Sequence, residues 1–211
     1  MDDFLIYSGY LILLLNLILY TYSFFRKEKA NVFFVLYLAF ITILQFCMEL
    51  MYHLRMNNLF FVNIFFVGQM VLLGLFYHSI LKLKTQRLFV KLGLGLALLV
   101  LAVQFMMDYS QFLKFNLLEI VITSLLVVFF ALMYLYNMLT DTRQYYYITI
   151  GLIIYLLVST VLFLVGNLTV GLSDDLKYLT WRLNAFFVLT SYLFVLYEWK
   201  VSFNPAKKIN S

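Results

Sequence analysis

In the stretch LQFCMELMYHLRMNN, residues 44–58, the polar residues Gln45, Glu49 and His53 recur at every fourth position. On a helix that spacing stacks them on one face, about 6 Å apart at each step. A carboxyl one turn from an imidazole can form an ion pair, hold a polar ligand or hydrogen-bond to a neighbouring helix. Further polar residues stand alone in apolar surroundings: Asn63, Gln69, Gln104, Glu119, Trp181, Arg182 and Asn184. What they can do depends on the elements that carry them.

The chain has 211 residues, 65% hydrophobic, 20% aromatic and 12% charged, with one Pro and one Cys. Its mean hydropathy is +0.96. A water-soluble domain has roughly 45–50% apolar and about 25% charged residues, so this composition belongs to a membrane protein. A helix needs about 20 apolar residues to cross a hydrocarbon core of ~30 Å. Seven windows are long enough, near 4–25, 31–53, 59–81, 88–107, 115–138, 145–166 and 179–200. The predicted fold is all-α, a polytopic membrane protein with residues 1–211 forming one seven-helix domain. Short connections make neighbouring helices antiparallel. The acidic start MDD lacks the basic n-region of a secretory signal, so the first span reads as retained. The tail KVSFNPAKKINS is too short to fold on its own.

Lys and Arg indicate orientation. Of 15, eleven lie at one set of helix ends: Arg26, Lys27, Lys29, Lys82, Lys84, Arg87, Lys91, Arg143, Lys200, Lys207 and Lys208. The other ends have only Arg55, Lys114, Lys177 and Arg182. The excess predicts the N-terminus outside and the C-terminus in the cytoplasm. The net charge of +5 then reflects topology and contact with anionic headgroups, and implies no nucleic-acid partner.

In that orientation Glu49 and His53 lie in the outer half of the second span, with Gln45 deeper. Asn63 and then Gln69 descend from the outer surface on the third span. Glu119 is about one turn into the fifth, and Trp181, Arg182 and Asn184 open the seventh. An ionised carboxylate facing lipid costs at least ~2.5–3.5 kcal/mol, so such groups normally face the bundle interior and find partners. Glu49 is the expected centre of a polar cluster, with His53, Arg182, Asn63 and Asn184 as candidate partners. The expected binding residues are Glu49, His53, Asn63, Gln69, Glu119, Trp181, Arg182 and Asn184, lining a pocket open to the outside. The competing reading is that these side chains only hold helices together, at about 0.6 kcal/mol per interhelical hydrogen bond.

Several chemistries have no support in the residues. Cys47 has no partner for a disulfide or thiolate metal site and reads as a small buried hydrophobe. KLGLGLALL places Gly93 and Gly95 inside a span, where close helix packing explains them better than a phosphate loop. Asn167 to Thr169 reads NLT, a glycosylation pattern of low specificity. Many of the 17 Tyr residues, among them Tyr7, Tyr10, Tyr20, Tyr22, Tyr178 and Tyr197, mark headgroup-level belts. No Ser-His-Asp set shares one depth and the carboxyls stand on separate helices, so no enzyme activity and no cofactor is expected.

The third and seventh spans share Asn-x-Phe-Phe-Val, at Asn63 to Val67 and Asn184 to Val188. That pattern suggests three helices, a linker helix and three more, an arrangement that resembles the small sugar-transporter and PQ-loop bundles. The resemblance covers topology and the two Asn residues and implies solute transport. It lacks the span prolines of that family, since the only Pro is Pro205 in the tail. Microbial rhodopsins need a mid-span Lys for retinal, which NAFFVLTSYLFVLY lacks. Hydrolases of the adiponectin-receptor and ceramidase type use three zinc-binding His residues. Here there are two, His53 and His78, on different helices and separated by about 30 Å of depth.

The chain is most similar to a loose group of small bacterial seven-helix inner-membrane proteins, some receptor-like and working beside separate signalling proteins. That resemblance rests on size, outside-in topology and aromatic-rich helices such as WRLNAFFVLTSYLFVLYEW. It implies a receptor-like or sensory binding protein of the bacterial inner membrane, with the lipid bilayer and a membrane or cytoplasmic protein as partners. A small-solute transporter and a structural subunit of a membrane complex are the alternatives.

Overall fold

The computed structural model describes residues 2–26, 30–140, 144–168 and 174–203. Lys27, Lys29, Arg143, Thr169, Ser173, Pro205, Lys207 and Lys208 lie outside the described residues. The chain is all-helical, with 89% helix and no strand among the described residues. Seven helices follow in order: α1 Asp2–Phe25, α2 Val32–His53, α3 Leu59–Ile80, α4 Lys84–Met107, α5 Leu117–Asn137, α6 Tyr146–Leu168 and α7 Asp174–Glu198. A 3-10 turn, Tyr109–Leu113, joins α4 to α5, and a π-helical turn, Trp199–Phe203, extends α7. Each helix holds an apolar span of 21 to 26 residues, enough to cross a bilayer core. α4 begins four residues before its expected window. Its first turn is polar, and Arg87 Nε donates to the Leu81 carbonyl at 2.6 Å, anchoring the helix start.

Asparagine and aspartate side chains start several of these elements. Asn31 Oδ1 accepts from Phe33 N at 2.9 Å, and Asn116 Oδ1 accepts from Glu119 N at 3.2 Å. Each satisfies a backbone donor that a helix N-terminus leaves unpaired. Asp108 opens the 3-10 turn. Its exposed carboxyl is held below the ordinary carboxylate range by hydrogen bonds from the side chains of Ser110 and Gln111 and from the Ser110 backbone. α2 ends with Arg55 at φ 56, where Met56 N donates to Met51 O at 2.9 Å. This closes the helix in the manner usually reserved for glycine.

α1, α2, α3, α5, α6 and α7 pack side by side as a closed ring, while α4 stands outside it against α3 and α5. The burial of α4 explains its place. Only Val90, Leu94, Ala97 and Leu101 are buried, a single stripe, while Leu92, Leu96, Leu99 and Val103 are exposed. Gly93 lies on the stripe against Leu126 and Phe130 of α5, as close packing requires. Gly95 points away, with nothing within 4 Å of where a Cβ would stand, so packing accounts for one of the two glycines.

One end of the bundle carries the N-terminus of α1, and the opposite end carries most of the described Lys and Arg: Arg26, Lys82, Lys84, Arg87, Lys91 and Lys200. This basic end is closed by aromatic rings from five segments. Tyr20 meets Phe34, Phe34 meets Phe76, Phe76 meets Tyr145, Tyr145 meets Phe203 and Phe203 returns to Tyr20, with centroids 5.2 to 5.6 Å apart. All five are at most 3% exposed. Beneath them Glu198, fully buried, accepts from Tyr145 N at 2.9 Å and Tyr147 N at 2.8 Å, and also from Ser202 Oγ. A helix N-terminus favours negative charge, and from the end of α7 the carboxylate caps the start of α6. It also holds Tyr145 at φ 61, a left-handed conformation that costs a bulky residue energy. Gln86 and Asn137 exchange two hydrogen bonds, 3.0 and 2.7 Å, pinning the start of α4 to the end of α5.

Candidate functional site

The expected binding residues fall into three groups on different helices, with no hydrogen bond or ion pair among the described residues joining one group to another. The first is at the N-terminal end of α1 and the C-terminal end of α2. His53 Nε2 and Glu49 Oε1 stand 3.1 Å apart, with side chains 63% and 28% exposed. Tyr10 OH of α1 donates to the other carboxylate oxygen, Glu49 Oε2, at 3.0 Å. Glu49 is thus paired with His53 and Tyr10, and not with Arg182. The helical spacing made the Glu49 and His53 contact legible in sequence. Tyr10 was not legible as their partner, since a Tyr near a span end reads equally well as a headgroup anchor.

Behind Tyr10 is a small void of about 10 Å³ lined by Tyr10, Leu13, Thr42, Gln45 and Phe46, close to the space one water molecule needs. On its far side Gln45 Nε2 donates to Tyr192 OH at 3.0 Å. Asn16 Nδ2 of α1 donates to the Tyr192 carbonyl at 2.9 Å. The buried oxygens Gln45 Oε1 and Asn16 Oδ1 have no partner. A broken polar track therefore leads from the exposed imidazole of His53 to α7 in the bundle interior. Gln69, also expected at the site, is deeper, buried on α3 and accepting from Tyr37 OH at 3.3 Å.

The second group spans α3, α4 and α5. Asn63 is buried, and its Nδ2 donates to the carbonyls of Gln111, Phe112 and Lys114 at 3.3, 2.8 and 3.2 Å, pinning the 3-10 turn over the bundle. Gln104 Nε2 donates to Asn116 Oδ1 at 3.2 Å. Glu119 is fully buried beside them. The third group is on α6 and α7, where Ser159 Oγ donates to Asn184 Oδ1 at 2.7 Å. Trp181, 67% exposed, and Arg182, also exposed, face outward on the same helix. The two Asn residues of the shared Asn-x-Phe-Phe-Val pattern thus hold different partners in different groups.

A wide groove of about 770 Å³, lined by Tyr147, Phe194, Tyr197, Trp199 and Lys200 among others, lies on the outer surface near the basic end and shares no residue with these groups. No three His, Cys, Asp or Glu side chains are grouped to hold a metal among the described residues. No family model, curated protein or solved structure matches the chain.

Proposed function

We propose that this is a receptor-like sensory membrane protein that binds a small polar or cationic solute at Tyr10, Glu49 and His53 and acts through a separate protein. The observation that carries the reading is the accessible Glu49 and His53 pair, tied by Tyr10 to α1 and backed by the water-sized void before Gln45 and Tyr192. A solute that draws Glu49 away from Tyr10 changes how α1 and α2 are held together. Asn16 and Tyr20 of α1 bond to α7 carbonyls at Tyr192 and Val195, so the change has a route to the basic end, where a partner would read it.

Transport requires a cavity near the midplane. The interior at mid-depth is filled by Tyr37, Met70, Tyr155 and Tyr192, all at most 8% exposed. That filling favours binding over passage. A panel of small cationic and zwitterionic solutes should include one that raises the thermal midpoint of the purified protein and is not taken up by proteoliposomes. Glu49→Gln keeps an acceptor for Tyr10 and the fold, and is expected to abolish that shift. Solute uptake lost in Asn63→Ala or Asn184→Ala would establish transport instead.

The excess of Lys and Arg supports an orientation with the N-terminus outside and the C-terminus in the cytoplasm of a bacterial inner membrane. In a Cys47→Ser background, a cysteine at Ser173 should react with an impermeant thiol reagent from outside, while a reporter fused after Ser211 stays cytoplasmic. The reverse pattern would put Glu49 and His53 on the cytoplasmic side.

A further inference from the structure

Glu119 stands apart from the other described acidic side chains, Glu49, Asp108 and Glu198. It is fully buried, and neither carboxyl oxygen has a hydrogen-bond partner. Three neighbouring amides are left incomplete as well: Asn63 Oδ1, Gln104 Oε1 and Asn116 Nδ2 are buried without partners.

The amide orientations follow from the hydrogen bonds. Asn63 must turn its nitrogen toward the three carbonyls it serves, which leaves its oxygen free. Asn116 must turn its oxygen toward the Glu119 N–H, so Gln104 must offer that oxygen its nitrogen, and the Gln104 oxygen is left over. With the carboxyl ionised, Glu119, Asn63 and Gln104 together have four unpartnered acceptor oxygens, and Asn116 has one unused amide nitrogen that can serve only part of them.

Helical register brings these groups to one level and one side. Glu119 is seven and eleven residues before Leu126 and Phe130, the α5 side chains that meet Gly93 of α4. Gln104 is eleven residues after Gly93, and so continues the same face of α4. Asn63 is eleven residues before Gly74, which meets Leu94 of α4. Gln104 and Glu119 are also joined directly through Asn116.

Among the described residues no cation is paired with this carboxyl. Lys114, five residues away, directs its ammonium to Ser110 Oγ at 2.8 Å, and Asp108 is exposed and engaged by Ser110 and Gln111. A carboxyl in apolar surroundings stays ionised only with a counter-charge beside it and is otherwise protonated, and free amide oxygens suit a hard cation. One carboxylate matches one positive charge. The last turn of α4, which carries Gln104, adds the partial negative charge of a helix C-terminus at the same level.

We propose that Glu119, Asn63 and Gln104 bind a single dehydrated alkali-metal cation between α3, α4 and α5, beneath the 3-10 turn that Asn63 holds in place. The site is separate from Glu49 and His53, and its test is independent of the sensory reading.

The thermal midpoint of the purified protein in detergent should rise saturably with NaCl or KCl relative to choline chloride at constant ionic strength. The expected rise is about 5–10 °C at a hundredfold excess over Kd. Glu119→Gln should lose that response while remaining at least as stable as the unsubstituted protein in choline chloride. Equilibrium binding of radiolabelled sodium to the unsubstituted protein should saturate near one ion per chain, which tests the site even if the variant fails to fold. Equal midpoints in alkali and choline salts, no saturable sodium binding, or an undiminished response in Glu119→Gln would each overturn the proposal. A midpoint that follows pH but not alkali cation would also overturn it, assigning the carboxyl to a proton.

Discussion

Glu198→Ala is expected to lower the thermal midpoint of the purified protein by roughly 10 °C, and Glu198→Gln by about half as much. The alanine leaves the backbone N–H groups of buried Tyr145 and half-buried Tyr147 without their acceptor. Each unsatisfied buried donor costs about 1–3 kcal/mol, and 1 kcal/mol corresponds to roughly 2–4 °C in a chain of this size. The loss extends beyond two hydrogen bonds. Tyr145 keeps its left-handed φ of 61 because its amide is held by Glu198 and its ring is held by Phe76 and Phe203. Glutamine retains one acceptor oxygen and can serve one of the two donors, which sets its intermediate place. Differential scanning fluorimetry in one detergent measures the series. An alanine variant within 2 °C of the unsubstituted protein would mean that the capping of α6 by α7 contributes little.

Gly151→Leu should produce the second large loss, about 6–12 °C, while Gly95→Leu leaves the midpoint within roughly 2 °C. A Cβ on Gly151 would stand 2.7 Å from Phe194 Cβ and 3.1 Å from Phe194 Cγ. Phe194 Cβ is bonded to the α7 backbone and cannot swing aside, so α6 and α7 must separate. Overpacking of this kind typically costs 1–3 kcal/mol, about 3 here because leucine adds three carbons beyond that Cβ. Separation also pulls Glu198 from the start of α6, since both contacts join the same two helices. Gly95 is the internal control. It is a glycine in a span of similar length with open space around its Cβ position, so leucine there meets no neighbour. Equal losses at the two positions would show that glycine acts through helix propensity rather than through close approach.

The spans were legible because membrane crossing depends on the length and apolarity of a local segment, and the observed helices differ from the expected windows by a few residues at most ends. The partners of the polar side chains were legible only within one helix. Glu49 and His53 are i and i+4 on α2, and they meet. Tyr10, Gln45 and Tyr192 come from three helices, and no spacing in the sequence announces their approach. Asn63 and Asn184 share a five-residue pattern, yet one serves backbone carbonyls of the 3-10 turn and the other accepts from Ser159. Glu198 drew no attention in sequence, since an acidic residue beside Trp199 and Lys200 near a span end reads as interfacial. Its role depends on the start of α6, about fifty residues earlier in the chain.

By itself the sequence determined an all-helical chain with seven helices able to span a membrane and an excess of basic residues at one set of ends. These features depend on the hydrophobicity of about twenty consecutive residues and on the charges that flank them, so each segment carries its own signal. Tertiary structure alone decided that α4 stands outside a ring of six, that the expected polar residues divide into three groups, and that Glu119 is buried with no charged partner among the described residues. These helices are apolar nearly all the way round, so they have little amphipathic stripe to say which face meets which neighbour. That choice is made by close fit between helices, by small residues such as Gly74, Gly93 and Gly151 and the bulky side chains that meet them.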